Sequence, residues 1–369
     1  MNSDDDKKKV ELEPSPNFDK LFGKTRDLYA SLQLSEEEYS KLSEEDTETF
    51  QDIEFDLLPS FTGENSENAV LMDEPSEEKR DDLYAAFTLN EESEITLNDI
   101  QDFRDPFLIS ISDDGSIWLA DQPEENLFRF SHFGGRALIH SFTVPGGMEE
   151  FSIGRPVDII CDKNDNFYVM DGIQQVIHKF SMDGQYDTIF RDQIMAGSPM
   201  MAVRDLTVDN KENMLLVTDF LKRKISRYQQ DGKERESIDF STGKYAVSQP
   251  GSLCLKDAQL YVLDPVFKNI SFLDEQGQET KALSPTLDKD IFCIRMKLHP
   301  SNNLILLDLY RQSVYALNME GTLQGLFQAG PGTPAPDIRI SWMDIDPDGT
   351  ICILDSSAGK IICLNFTPE

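Results

Sequence analysis

Six aspartates recur through the last two-thirds of the chain, and their type and spacing suggest chemistry. Successive members lie 50, 48, 45, 44 and 47 residues apart. A ring of carboxylates could hold a hard divalent cation, which prefers oxygen ligands. An aspartate at a strand end also has a structural role, because it accepts N–H bonds from the following loop. We favour the structural role for all six: Asp121, Asp171, Asp219, Asp264, Asp308 and Asp355.

Basic residues near these aspartates suggest a second chemistry, the recognition of carboxylates by charge-assisted hydrogen bonds. Some follow an aspartate within a few residues, and others stand at the start of the next apolar run. The alternative is that each one pairs with a neighbouring aspartate. The candidate residues for binding a partner or an anion are Arg155, Arg204, Lys222, Arg223, Lys224, Arg295, Arg311 and Arg339.

The aspartates mark a repeat of about 47 residues. A β-branched and aromatic run precedes each one, as in NFYVMD and TICILD, and a turn-forming pair such as Asp114-Gly115 precedes most of these runs. An apolar residue follows six positions after each aspartate, and in five of the six copies a glycine follows thirteen positions after it. This pattern predicts four antiparallel strands per copy, with residues 186–190 as the fourth strand of the second.

Six such copies predict one six-bladed β-propeller, an all-β fold in which radial repetition leaves only short sheet edges exposed. The sixth copy stops after its third strand and leaves an open edge. The alternating residues 94–97 are expected to add the outer strand there. We therefore predict a propeller over residues 94–369, preceded by an acidic arm over residues 1–93.

The repeat resembles the NHL-repeat six-bladed propellers. The best match is RPVDIICDKNDNFYVMDGIQQVIHKFSMDG, residues 155–184, with its apolar strand, its turn, the Y-V-x-D run and the I-x-K-F run. The fourth and fifth copies depart from the pattern. The resemblance implies a fold more than a function.

On the inner strands of such a propeller, Asp158, Asp205, Arg295, Trp342 and Asp344 are expected to face a central channel. These positions resemble those at which some propeller enzymes, the gluconolactonase-type hydrolases, hold a divalent cation with carboxylate and amide groups of the inner strands. The alternative function is therefore a hydrolase or lyase with a metal in the channel. None of the four histidines stands at the start of an inner strand, and Cys161 and Cys254 occupy repeat positions expected to pack in the core.

Charge is distributed unevenly. The chain has a net charge of −34, and residues 1–105 hold 31 acidic but only 10 basic residues. Such a segment buries too little apolar surface to offset its conformational entropy, so we expect the arm to be largely disordered. Its charge argues against nucleic acid as a partner. The sequence also predicts no membrane insertion, and five cysteines without a C-x-x-C pair favour a reducing cytoplasm.

The arm contains its own repeat. DLYASLQLSEE at residues 27–37 and DLYAAFTLNEE at residues 82–92 share the spacing of their apolar residues. Apolar anchors in an acidic disordered segment are typical of docking motifs. The candidate partner-binding residues are Leu28, Tyr29, Leu32 and Leu34 in the first copy and Leu83, Tyr84, Phe87 and Leu89 in the second. A third apolar segment, QDIEFDLL at residues 51–58, could dock on the basic loops of the propeller.

These observations favour a non-enzymatic scaffold or tether, with the propeller as a binding platform for proteins and the arm as a bivalent docking segment. No catalytic residue, metal ligand or cofactor is assigned. A third possibility is a propeller that senses an anion or a peptide and is autoinhibited by its own acidic arm. The partner and the oligomeric state stay open.

Overall fold

The computed structural model describes residues 83–90, 94–97, 103, 105–122, 126–130, 140–142, 153, 156–164, 166–181, 185–285, 287 and 291–368. Over these residues the chain forms short β-strands, an α-helix, α1 (Thr188–Met195), a 3-10 helix at Phe240–Thr242 and a helical stretch at residues 83–85. In chain order the strands are β1 (Phe87–Leu89), β2 (Ile95–Thr96), β3 (Asp105–Ile111), β4 (Ile117–Gln122), β5 (Asn126–Phe130), β6 (His140–Phe142), β7 (Pro156–Cys161), β8 (Asn166–Asp171), β9 (Val176–Ser181), β10 (Val203–Asp209), β11 (Met214–Asp219), β12 (Lys224–Gln229), β13 (Ile238–Asp239), β14 (Ser252–Lys256), β15 (Gln259–Leu263), β16 (Ile270–Leu273), β17 (Glu279–Leu283), β18 (Arg295–Leu298), β19 (Leu304–Asp308), β20 (Ser313–Leu317), β21 (Leu323–Gln328), β22 (Trp342–Ile345), β23 (Ile351–Asp355) and β24 (Lys360–Phe366).

The strands form six antiparallel sheets, of which five are built from consecutive strands and the sixth combines strands from both ends of the described chain. Blades 1 to 5 are β3–β6, β7–β9, β10–β13, β14–β17 and β18–β21, and blade 6 is β22–β24 together with β1 and β2. The first strands of neighbouring blades lie against one another around the ring. The predicted six-bladed β-propeller is confirmed.

The repeated glycine closes the turn between the third and fourth strands. Gly232 has a φ of +86°, a conformation that an L-residue rarely adopts. A Cβ atom added there would lie 2.5 Å from the carbonyl oxygen of Phe190. Gly277 and Gly321 adopt the same backbone conformation at the equivalent positions of blades 4 and 5. The glycine is therefore required both by backbone conformation and by the space available.

The core lies between the faces of neighbouring blades. The Trp118 ring of blade 1 packs 4.5 Å from the Phe167 ring of blade 2, measured between centroids, and Phe167 stacks on Phe180. The second strands are almost wholly buried, as in β19 and β23. Each blade therefore depends on its neighbours for most of its apolar burial.

Blade 2 departs from the predicted pattern, because residues 186–190 do not form a fourth strand. Tyr186 makes a single bridge to Phe180, and α1 begins immediately afterwards. The Asp187 carboxylate caps the helix by accepting the N–H of Phe190, and Phe190 and Ile194 bury the apolar side of the helix. The Asp187 cap and the four-residue spacing of Phe190 and Ile194 therefore stabilise a helix at the place where the sequence pattern predicted a strand.

Blade 6 joins the two ends of the described chain. β2 pairs with β24 at Ile95 and Ile361, which confirms the predicted role of residues 94–97. β1 also pairs with β24, where Phe87 lies opposite Phe366. The propeller therefore includes residues assigned to the arm by the sequence analysis, and the boundary predicted at residue 94 falls inside the closing sheet.

Side chains reinforce this closure. The Phe87 and Phe366 rings lie 5.1 Å apart, and Lys360 Nζ lies 2.6 Å from Glu94 Oε1. On the neighbouring blade, a Cβ atom added to Gly325 would lie 2.9 Å from the Cβ atom of Ala86 and from Cε2 of Phe87. β1 is thus held between β24 and a glycine that leaves room for it. Within the part of the chain that the structure covers, no helix has the length and apolar character needed to cross a bilayer.

We predict that Gly325→Ala destabilises the ring, because the added methyl group pushes β1 away from β24. Overpacking of this kind costs roughly 1–3 kcal/mol. The exposed Gly197→Ala variant is the control and should change the free energy of unfolding by less than about 0.5 kcal/mol. Urea denaturation measures both, and equal stabilities for the two variants would contradict the proposed packing.

Candidate functional site

The first strands of the blades present two rings of residues to the channel. In five blades the register places the first-ring residue opposite the residue before the closing aspartate, and in blade 3 Asp205 lies at a bulge and donates its N–H to the side chain of that residue, Thr218. The second ring lies two residues further along each strand. Alternate residues of a strand share one face, so both rings point the same way. The first ring is Leu108, Asp158, Asp205, Ser252, Arg295 and Trp342, and the second is Ser110, Ile160, Thr207, Cys254, Lys297 and Asp344.

A buried guanidinium lies at the centre of the first ring. Arg295 of blade 5 reaches across the channel, where its Nη2 lies 3.0 Å from Asp158 Oδ1 and its Nη1 lies 3.6 Å from Asp205 Oδ1. All three side chains are at most 3% exposed. The Cζ atom of Arg295 lies 5.0 Å from the centroid of the Trp342 ring. One cation therefore links blades 2, 3, 5 and 6.

The acidic members also accept backbone N–H groups from the next blade. Asp158 Oδ2 accepts from Leu206 at 3.2 Å, and Asp205 Oδ2 accepts from Leu253 at 2.9 Å. Ser252 donates its hydroxyl proton to Asp205 and accepts the N–H of Met296. These bonds join blade 2 to 3, 3 to 4 and 4 to 5.

The second ring completes the circle. Lys297 Nζ of blade 5 lies 2.9 Å from Asp344 Oδ1 of blade 6, and Asp344 Oδ2 accepts the N–H of Ile111 in blade 1. Ser110 Oγ of blade 1 donates to the carbonyl oxygen of Ile159 in blade 2. All six junctions between blades therefore carry a polar side-chain link, and we call these links together the polar belt.

Burial raises the pKa values of the carboxylates in the belt, and the neighbouring cations lower them, so the net shift differs between Asp158 and Asp344. Burial raises the pKa of Asp158 to about 7, with Asp205 adding to the shift and Arg295 opposing it. For Asp344 burial also opposes ionisation, but Lys297 and Arg295 hold its pKa below the ordinary value. Three carboxylates face two cations here, so one retained proton makes the cluster neutral.

The structure brings together the five predicted channel residues, with one correction. Arg295 was also assigned to the cationic surface that binds a partner, but its guanidinium is buried and pairs with Asp158 and Asp205. The sequence analysis missed Ser252 and Lys297. The repeat could have identified both. Ser252 occupies the position in blade 4 that Asp205 occupies in blade 3, and Lys297 lies two residues after Arg295.

The ionisable side chains of the belt are paired with one another or with backbone N–H groups. Its carboxylates accept backbone or guanidinium N–H groups, and among the described residues no group of three or more His, Cys, Asp and Glu side chains has the arrangement of a metal site. A cavity of about 200 Å³ is lined by side chains that include Thr207, Cys254 and Lys297. Burial raises the pKa of Cys254 to about 12, so its thiol is protonated at neutral pH.

The closing aspartates have the architectural role that the sequence predicted. Asp264 Oδ1 accepts the N–H groups of Val266 and Phe267 in the following loop, while Oδ2 accepts those of Ser248 and Gln249 in the preceding connection. Asp308 likewise holds its following loop and its preceding connection. All six are at most 6% exposed. Asp219 and Asp355 also accept N–H groups on both sides, and Asp171 accepts those of the loop that follows it.

The remaining predicted cations lie in different environments. Lys224 forms an ion pair with Glu234 at 2.9 Å, and the Arg204 guanidinium lies 5.7 Å from the Phe220 ring. Lys222, Arg223 and Arg311 are half-buried in the loops after their aspartates, Arg339 is exposed just before β22, and Arg155 lies outside the described residues.

Aromatic side chains share these loops, and the sequence analysis did not single them out. Phe267 is 54% exposed and Tyr310 is 61% exposed, and they follow the closing aspartates of blades 4 and 5 by three and two residues. Phe220 directly follows the closing aspartate of blade 3. We call residues 220–223, 265–268 and 309–311 the rim loops.

The structure describes most of the second copy of the arm motif and none of the first. Residues 28, 29, 32 and 34 of the first copy lie outside the described residues. In the second copy Leu83 and Tyr84 have a helical backbone, and Phe87 and Leu89 lie in β1. Tyr84 donates its hydroxyl proton to Gln328 of blade 5 at 3.0 Å. The binding of an outside partner by either copy stays a prediction.

The described residues define a class of protein, a six-bladed β-propeller whose inner strands are joined by a polar belt. The sequence model of the DUF5128 family, described as a 6-bladed beta-propeller, matches residues 147–346, and the chain belongs to this family. No curated protein sequence matches the chain significantly.

Solved structures show the same fold at low sequence identity. A catalytically inactive virginiamycin B lyase from Staphylococcus aureus with quinupristin is 15% identical, covers 76% of this chain and 88% of its own, and has a TM-score of 0.52. A streptogramin B lyase is 14% identical, covers 76% of this chain and 98% of its own, and has a TM-score of 0.51. These likenesses show the fold alone.

The raised pKa of Asp158 predicts a dependence of stability on pH. The folded protein holds this proton up to about pH 7, whereas the unfolded chain releases it near pH 3.8. The folded state therefore binds more protons between these values, and this contribution to stability is lost as the pH rises. Between these pH values the free energy of unfolding falls by at most about 1.4 kcal/mol per pH unit on account of this proton.

Urea denaturation from pH 5 to 8 should show a shallower decline for Asp158→Asn than for the wild type. The control, Asp231→Asn, changes a partly exposed carboxylate and should keep the wild-type slope. Identical slopes in all three proteins would contradict a proton held by the belt.

We also predict that Arg295→Met costs about 3–5 kcal/mol of unfolding free energy, because it leaves two carboxylates buried without their cation. Adding Asp158→Asn should recover part of this loss. Lys297→Met is the comparison variant and should cost less, since the Lys297 side chain is 23% exposed. Urea denaturation at pH 7.5 measures all three, and equal losses for Arg295→Met and Lys297→Met would be the contrary result.

Proposed function

We propose that this protein is a non-enzymatic binding platform, and that its rim loops recognise acidic protein segments that carry aromatic or aliphatic residues. The proposal is supported chiefly by the exposed aromatic side chains. Among the described residues only five large apolar side chains are exposed, and the two aromatic ones, Phe267 and Tyr310, lie in rim loops of adjacent blades. Exposed aromatic side chains beside cations are typical of binding hot spots.

Charge supports the same partner chemistry. The rim loops contain Lys222, Arg223, Lys268 and Arg311 and no acidic residue, although the chain carries a net charge of −34. The corresponding loop of blade 1 reads Gln-Pro-Glu-Glu, and those of blades 2 and 6 contain no aromatic residue. One side of the channel mouth is therefore basic and aromatic, which favours an acidic, apolar ligand.

The rim loops are also pre-organised. The Asp264 carboxylate accepts two N–H groups of its loop, and Asp219 and Asp308 accept the N–H groups of Lys222 and Arg311. A loop already held in one conformation loses less entropy when a ligand binds. Rigid loops on a closed ring therefore suit recognition, whereas the belt engages the ionisable groups of the channel in holding the blades together.

The proposal includes finer assignments from the sequence. We infer an NHL-like repeat from the shared register of the closing aspartate, the apolar positions and the turn glycine. We place the protein in a reducing compartment, the cytoplasm, because its five cysteines form an odd set with no C-x-x-C pair. The arm remains a docking segment in this proposal. However, its second copy would have to leave blade 6 to bind an outside partner.

A labelled peptide with the sequence QDIEFDLL, residues 51–58, tests the rim loops. All proteins are full-length and carry Ile53→Ser and Phe55→Ser, so that their own segment does not compete. Phe267→Ser with Tyr310→Ser, and separately Lys268→Glu with Arg311→Glu, should each weaken binding by about tenfold or more. Added salt should weaken the binding of the unsubstituted rim.

Matched controls change similar residues elsewhere. Ile189→Ser with Met195→Ser removes exposed apolar side chains of α1, and Lys211→Glu with Lys233→Glu reverses exposed charges on other loops. Both controls should bind the peptide like the parent. Equal affinity for rim and control variants, or no binding by the parent at millimolar peptide, would refute the proposed surface.

A further inference from the structure

The cavity of about 200 Å³ lies toward the end of the channel that is away from the rim loops. The first strands begin at the rim, where Val203 pairs with the closing Asp219, and the second ring lies further along these strands than the first. Four second-ring residues line the cavity, one from each of blades 2 to 5: Ile160, Thr207, Cys254 and Lys297. The first ring, with its buried guanidinium, therefore lies between the cavity and the rim loops.

The lining of the cavity is largely aliphatic. Its apolar members come from the same four blades and are Ile160, Leu206, Leu253, Leu255 and Leu298. At about 30 Å³ for each water molecule, the volume corresponds to a ligand of roughly seven or eight non-hydrogen atoms. Because the burial of apolar surface favours binding, this space suits a short hydrocarbon chain.

The charged groups that line the cavity are both cations, Lys256 and Lys297, and none of the described lining residues is acidic. Lys297 pairs with Asp344 of the belt, whereas Lys256 Nζ bonds to the uncharged side-chain amide of Asn302 at 2.8 Å. The Cys254 thiol adds no negative charge, because burial raises its pKa to about 12. Since the belt is neutral with its retained proton, Lys256 leaves one net positive charge beside the cavity.

Lys297 can contact a ligand without leaving its place in the belt. An ammonium group has three N–H donors, and Asp344 Oδ1 lies 2.9 Å from the Nζ atom in one direction. The Lys297 side chain is 23% exposed, whereas Arg295 is buried between its two carboxylates. The hydroxyl group of Thr207 adds a neutral donor to the lining. The polar side of the cavity therefore suits a carboxylate, which accepts charge-assisted hydrogen bonds.

We propose that this cavity binds a small aliphatic monocarboxylate of about six carbon atoms. Its carboxylate accepts hydrogen bonds from Lys297 and Lys256, and its alkyl chain occupies the apolar space. The volume favours a free acid over the end of a peptide chain, because a single residue would already fill it. Such a ligand contacts the first strands of four blades, so its binding stabilises the folded ring.

Isothermal titration calorimetry of the full-length protein with hexanoate at low ionic strength tests the proposal. Hexanamide has nearly the same shape but no charge, and should bind about tenfold or more weakly. Butanoate lacks two methylene groups and should also bind about tenfold more weakly. Decanoate exceeds the volume of the cavity and should bind no more tightly than hexanoate. Equal affinities for hexanoate and hexanamide, or no binding of hexanoate at millimolar concentration, would overturn the proposal.

A matched pair of lysine variants locates the site. Lys256→Gln removes the unbalanced charge and should weaken hexanoate binding about fivefold or more. The control, Lys281→Gln, removes the same charge from β17 of the same blade, where Nζ bonds to the carbonyl oxygen of Met319, and should bind like the wild type. Neither lysine belongs to the belt, so both variants should fold. Equal affinities in the two variants would show that hexanoate binds elsewhere.

A second pair changes the space and leaves the charge unaltered. Cys254→Leu extends the wall into the cavity and should abolish hexanoate binding, whereas Cys254→Ser keeps the space open and should retain it. Tight binding by Cys254→Leu would place the ligand outside the cavity. If this variant does not unfold cooperatively, the lysine pair decides the question.

The rim variant Phe267→Ser with Tyr310→Ser separates this proposal from the proposed function. Its substitutions lie at the other end of the channel, so it should bind hexanoate with the wild-type affinity even though it has lost the acidic peptide. Loss of hexanoate binding in this variant would contradict a site at the second ring. Failure of the peptide to bind the parent protein would leave the hexanoate result unaffected.

Discussion

The pairing of β1 and β2 with β24 is the constraint on which the rest of this molecule depends. A blade buries its apolar faces only against its neighbours, so an open ring would leave both faces of the gap and two sheet edges in water. Closure also allows the polar belt to be continuous, because the hydrogen bond that the Ile111 N–H donates to the Asp344 carboxylate joins the first blade to the last. The outer closing strands and the inner belt therefore act at the same junction.

The belt explains why charged channel residues do not by themselves indicate catalysis. Burying Arg295, Asp158 and Asp205 carries a desolvation cost that is offset only while all three stay paired. A substrate or a metal ion that took one partner would leave the others unsatisfied. The same charges are useful as links, because each carboxylate spans a junction between blades that backbone pairing does not cross. In the proposed function, binding is therefore assigned to the rim loops, which the closing aspartates Asp219, Asp264 and Asp308 hold.

Features repeated in every blade could be predicted from the sequence, because six copies of a local pattern reinforce one another. The closing aspartates, the turn glycines and the use of residues 95–96 in closure all follow from that register. The helix after Asp187 could not be predicted in this way, because a single cap and two buried apolar residues override the strand pattern at one site only. The pairing of Arg295 with Asp158 joins residues 137 positions apart and depends on the diameter of the channel.

The position of β1 shows why a motif in an acidic arm is difficult to interpret from sequence alone. The apolar spacing of DLYAAFTL is typical of a docking segment, and in the structure that segment does dock, but on its own propeller. The groove is formed by Gly325, Gln328 and Phe366, more than 200 residues further along the chain, so no local pattern could reveal it. A short connection then makes the internal site stronger than an equivalent external one, because a tethered strand binds at high effective concentration. For a closed propeller, a duplicated segment beside the first blade is therefore as consistent with ring closure as with recognition of another protein.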